Sequence, residues 1–176
     1  MNELCRVSSQ YVDFEDRIRL TGELTDGQHV VLWLTRRLTE RLVPHLVKWL
    51  ENNQVKVQEG RSLALTAMRN APYQRFVQEA AHAQLEPQPP LQARLGERSW
   101  LVCAVELKSA PDVLRLNFKG RLEIEQVQFS PGERPLRQWL KVIHDLYVLA
   151  GWPQEVWPLW IADGLASGAA NAQSLH

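Results

Sequence analysis

The chain has 176 residues, of which 45% are hydrophobic and 23% charged, ordinary values for one folded domain and too apolar for wholesale disorder. Twenty basic residues balance twenty acidic ones, so overall charge does not drive the chain onto nucleic acid or an anionic membrane, although a local basic patch is still allowed. Cys5 and Cys103 are too few for a disulfide framework or a four-thiolate metal site.

Met1 to Gln10 carries no apolar core of a secretory signal, and no segment approaches the roughly 20 apolar residues that span a bilayer. A cytoplasmic protein with reduced thiols, bound to no membrane, is the expectation. Ile18, Leu20, Gly22 and Leu24 alternate with Arg17, Arg19, Thr21 and Glu23, the period-two pattern of a strand with one face on a core. Thr25-Asp26-Gly27 suits a three-residue hairpin loop, with Gly27 in the left-handed position. That loop sets Leu20 opposite Leu32, Ile18 opposite Leu34 and Arg19 opposite Trp33.

The next strand, Gln28 to Leu34, runs without a loop into a helix over about 35–51. Leu38, Leu42, Val43, Leu46, Trp49 and Leu50 share its apolar side; Arg37, Arg41, His45 and Lys48 share the other, a solvated face with Pro44 as a kink. The stretch 52–68 is ambiguous between an extended segment and a loop. Asn70-Ala71-Pro72 opens a second helix to about Leu85, with Tyr73, Phe76, Val77, Ala80 and Ala81 on one face, and the proline cluster 86–90 ends it.

A second hairpin is predicted over Trp100 to Phe129, turning at Ser109-Ala110-Pro111-Asp112 and facing Val105 with Leu116 and Cys103 with Phe118. A two-residue turn at Lys119-Gly120 would oppose Phe118 to Arg121, which favours one long strand bent at Gly120 and bulged near Glu125-Gln126. Leu101, Cys103, Val105 and Leu107 fall on its core-facing side in this register. The last helix, about 134–150, buries Leu136, Trp139, Leu140, Ile143, Tyr147 and Ala150 and stops at Gly151. Residues 164–176 are expected to be a disordered tail after a single domain over 1–163.

The resulting expectation is an α+β fold: an antiparallel sheet of four or more strands built from two hairpins, with about three helices packed mainly on one face. No histidine has a second ligand at metal spacing on its helix face and no glycine run follows a strand, so no catalytic residue, metal or cofactor is assigned. His144 and Asp145 are adjacent on a helix and point about 100° apart, so they cannot orient each other.

Two surfaces carry the functional expectation. Trp33, Trp100, Trp152, Trp157 and Trp160 are candidate partner-binding residues, because tryptophan contributes heavily in desolvated interfaces; the 152–160 segment is nevertheless expected to fold back or to be covered in a homodimer. Arg17, Arg19, Arg115, Lys119 and Arg121 around Trp33 and Trp100 would suit single-stranded nucleic acid, where phosphates need cations and bases need flat surfaces. The leading expectation is a small non-enzymatic interaction or assembly module, homo-oligomeric through sheet edges and tryptophans. The alternatives are a nucleic-acid binder and an enzyme whose groups converge only in three dimensions, such as His144 with Asp13, Glu15 or Glu106.

Overall fold

A computed structural model describes residues 2–56, 71–85, 88–92, 96–110 and 112–162. The expected tail, and most of the ambiguous stretch after the first long helix, lie outside the described residues; residues 52–56 continue that helix. In chain order the elements are β1 (Glu3–Val12), a single 3-10 turn (Asp13–Glu15), β2 (Arg17–Leu24), β3 (His29–Thr35), α1 (Arg36–Lys56), α2 (Ala71–Ala83), β4 (Arg98–Leu101), β5 (Ala104–Ser109), β6 (Leu114–Lys119), β7 (Gln126–Phe129), α3 (Glu133–Ala150) and α4 (Leu159–Ala162). The architecture is α+β, with a seven-stranded sheet in the order β4-β3-β2-β1-β7-β6-β5. The sheet is mixed, not purely antiparallel: β1 runs parallel to β7, and β3 parallel to β4.

The first hairpin forms in the expected register, Ile18 with Leu34, Arg19 with Trp33 and Leu20 with Leu32, and Gly27 takes a φ of 80°. Thr35 closes it and starts α1, its hydroxyl accepting the Leu38 N–H. Two hairpins do not account for the rest. β1 is an additional strand, antiparallel to β2 along its length, and the irregularity at Cys5 and the polar Ser9 on its inward side conceal the alternation.

Two expectations for the second half are corrected. The turn between β5 and β6 is centred further along the chain, so that Val105 faces Phe118 and Leu107 faces Leu116. The chain does not continue straight past Gly120: it turns over 120–125 and returns as β7, pairing Phe118 with Val127 and Leu116 with Phe129. A six-residue turn matches apolar with apolar where a two-residue turn could not. It is closed by the Gly120 N–H on the Glu125 carbonyl, while the Glu125 carboxylate accepts the N–H groups of Arg121 (2.7 Å) and Leu122 (3.0 Å).

Only Val102 and Cys103 separate β4 from β5. Val102 donates its N–H to the Trp33 carbonyl (3.0 Å) and Cys103 donates to the Lys119 carbonyl (2.8 Å). Successive N–H groups of an extended chain point to opposite sides, so residues 98–109 form one bent strand with β3 on one side and β6 on the other. The sheet therefore curls and closes on itself. Its weakest seam is between β1 and β7, which meet only through Glu3 and Leu4 opposite Gln128 and Phe129.

Inside the curl, Leu4, Ile18, Leu20, Leu24, Val30, Leu32, Leu34, Leu116, Phe118 and Val127 meet α1 and α3 in one core. The bend at 102–103 shifts the strand's phase: Trp100 and Val102 enter the core, whereas Leu101 and Cys103, expected inside, are exposed. On α2 the expected face is corrected in part. Ala81 is buried as expected, but so are Gln74 and Gln78, while Phe76 is 69% exposed, because α2 docks through its glutamines on α3. Gln78 Nε2 donates to the Arg137 carbonyl, and Arg137 Nη2 donates to Gln74 Oε1.

Candidate binding groove

The parted seam is where the molecule offers a site. Beyond Leu4, β1 continues to Val12 with β2 on one side, and among the described residues no strand lies on its other side. Unpaired N–H and C=O groups on a strand edge form a template for another extended chain. Beside that edge lies a groove of about 1050 Å³ bounded by β1 residues Cys5 to Ser9, the end of α2, the 88–90 connector and the first half of α3.

The floor and walls of the groove are mixed in character. Val7 and Val142 supply apolar surface, with the buried Phe129 and Trp139 behind them, and Trp139 is fixed by its Nε1 donating to Ser9 Oγ (3.1 Å) and by edge-on packing against Phe129. Two arginines flank it. Arg134 donates to Gln84 Oε1 (2.8 Å), and Arg6 donates to the Pro89 carbonyl. Both partners are neutral, each guanidinium has five N–H groups, and no carboxylate is among the described residues lining the groove. The Leu91 N–H is held by Ser8 Oγ (2.9 Å), and Glu97 meets His29 at 3.1 Å.

The tryptophans singled out in the sequence are otherwise engaged. Trp100, Trp152, Trp157 and Trp160 are each 4–6% exposed. Trp152 and Trp157 both stand edge-on to Tyr147, whose hydroxyl donates to Thr39 Oγ1 (2.7 Å) and whose pKa is pushed up by burial to about 12. Trp160 donates to Glu51 and lies under the guanidinium of Arg137. Trp33 is half-buried on the outer face, its Nε1 donating to Ser99 Oγ (3.0 Å).

Closure of the sheet brings part of the basic set together. Arg19 stands directly opposite Trp33, and Lys119 lies across Val102-Cys103 from it, two strand spacings or about 10 Å away. Two of the charges are already engaged, Arg17 with Glu15 (3.1 Å) and Lys119 with Glu106 (2.5 Å), a pairing that holds the Glu106 carboxyl below its usual range, whereas Arg19 donates to the neutral Gln10 Oε1 (2.7 Å). Arg115 is four residues along β6 from Lys119, opposite Lys108, and Arg121 sits in the 120–125 turn. Trp100 faces the core opposite Leu32, not the outer face.

His144 is buried against Trp157, and its Nδ1 is 3.8 Å from Asp145, too long for a hydrogen bond. Asp13 and Glu15 lie on the exposed turn after β1, so the structure does not gather an acid-base pair from these residues. Among the described residues, no group of three His, Cys, Asp or Glu side chains could hold a metal, and no helix is long and apolar enough to cross a membrane. No known family model, curated protein or solved structure matches this chain.

Proposed function

We propose that the protein is a non-enzymatic interaction module that takes a polypeptide segment of another protein into the groove beside β1. The observation that carries the reading is the strand-free edge of β1, whose Cys5 to Ser9 stretch forms one wall of a 1050 Å³ groove with apolar and basic lining. A second copy of the chain is a poorer occupant, because pairing two such edges brings the Arg6 and Arg134 groups of both copies together without a carboxylate between them. The exposed thiols of Cys5 and Cys103 accord with a reducing setting such as the cytoplasm.

Cys5 offers the test, since it is exposed and lines the groove. In a Cys103→Ser background, capping Cys5 with a bulky maleimide is expected to abolish capture of a stoichiometric protein from native extract. Capture that survives the adduct counts against the groove. Capture that is lost on nuclease treatment instead would favour the outer face around Trp33, Arg19 and Lys119 as a nucleic-acid surface.

A further inference from the structure

The groove has a polarity and a shape that narrow its occupant, once it is taken as a site for polypeptide. Resting on that reading, we infer that the bound segment is extended and acidic, pairing by its backbone with the open edge of β1 while its carboxylates reach Arg6 and Arg134. Two independent observations point the same way. The first is the edge itself: from Cys5 to Val12 no strand covers it among the described residues, and the connector touches this part of β1 through side chains, at Arg6 and Ser8, not through backbone pairing. Main-chain pairing along an edge is a contact that a peptide makes and a nucleic acid does not.

The second is charge. Arg6 projects from β1 and Arg134 from the first turn of α3, both on the groove, and each spends a bond on a neutral oxygen. Planar guanidinium groups of this kind match carboxylates in pairs of parallel bonds. A strand alternates its side chains between two faces, so an added strand with acidic residues at alternate positions sends them to the face that carries Arg6 and its apolar residues to the α3 side, where an acidic residue among them meets Arg134. The apolar positions then meet Val7 and Val142, with the buried Phe129 and Trp139 behind them.

The probe is a displayed library of random peptides of about twelve residues, long enough to cover the open edge at about 3.3 Å per residue. Selection is run on the full chain, with and without the bulky adduct on Cys5. The expected result is enrichment of peptides with Asp or Glu alternating with apolar residues, lost with the adduct. A synthetic peptide from that pool is expected to bind at least about tenfold more weakly to the Arg6→Gln/Arg134→Gln protein, and to weaken again as salt rises. N-methylation of alternate backbone nitrogens on the side facing β1 is expected to abolish binding while methylation of the others is tolerated.

Circular dichroism and the thermal midpoint of the double variant separate lost charge from lost fold, and the N-methyl series on the parent protein tests the strand pairing even where that variant is unstable. Enriched peptides that are neutral or basic but still blocked by the adduct would overturn the acidic-strand inference and leave the groove reading intact. Peptides indifferent to the adduct, or no enrichment at all, would overturn both. Displacement of the peptide by single-stranded DNA, with N-methylation having no effect, would assign the arginines to phosphate and overturn the strand.

Discussion

Asp16 takes a left-handed backbone conformation, φ 47°, at the end of the turn after β1, a geometry that aspartate and asparagine tolerate better than most residues. Its carboxylate accepts hydrogen bonds from Trp152 Nε1 (2.7 Å) and the Tyr11 hydroxyl (2.9 Å), and these hold its pKa below the ordinary carboxylate value. A depressed folded-state pKa contributes stability that is complete above the unfolded value, about 3.9, and is lost as pH falls through the folded one. Asp16→Asn is therefore expected to be less stable than the parent at neutral pH, with the gap closing on acidification through that window; denaturant unfolding followed by tryptophan fluorescence at stepped pH measures it. A gap constant down to strongly acidic pH would show that the carboxylate charge is not what secures Trp152. Arg137 has a similar role deeper in the molecule. It is 0% exposed, bonded to Glu133 and Gln74 and stacked on Trp160, with burial pulling its pKa down and no partner for Nη1 among the described residues. Arg137→Ala is expected to cost about 3 kcal/mol in urea unfolding, since it leaves the polar ends of α2 and α3 unmatched, and Arg137→Met to cost less because it fills the space without a buried charge.

Among the elements, those whose patterns close over a few residues are the ones legible in the sequence. The first hairpin and α1 are of this kind: Thr25-Asp26-Gly27 sets the register and Leu38 to Leu50 the helix face. The phase of Leu122 and Ile124 continues that of Leu116 and Phe118, and it misleads, because both are exposed on a turn that the Glu125 carboxylate holds shut. Gly120 is the pivot. A Cβ there would fall 2.7 Å from both Glu125 Cβ and Trp100 Cδ1, so Gly120→Ala is expected to lose about 1–3 kcal/mol, measured as a shift in the unfolding midpoint. If Gly120→Ala unfolds like the parent, the tight seat of this turn against Trp100 is not a constraint. On α2 the apolar stripe is visible in the sequence, whereas the docked face is the glutamine side, and only the facing arginine on α3 explains that choice. The tryptophan-rich segment after α3 folds back as its apolar area requires, through partners as distant as Asp16, Tyr147 and Glu51.

The whole molecule is organised by closure of the sheet through the bent strand 98–109 and by its parting between β1 and β7. Neither is local. Closure depends on two hydrogen bonds from consecutive residues to strands far apart in the chain, and the groove assembles Arg6, Trp139 and Arg134 from opposite ends of the sequence. No spacing pattern could signal it; β1 itself, ELCRVSSQYV, carries polar residues where alternation would mark a strand. Peptide capture by this groove requires that the outer edge of β1 be open in the free protein. Residue-resolved amide hydrogen exchange tests that requirement, because an N–H paired with β2 is protected and one on a bare edge is not. Along Cys5 to Val12 the expected profile is alternating, slow at amides facing β2 and fast at those facing the groove, with the fast set becoming slow when an acidic peptide binds. Uniformly slow exchange along β1 in the free protein would contradict an open edge and, with it, the groove as a strand-binding site.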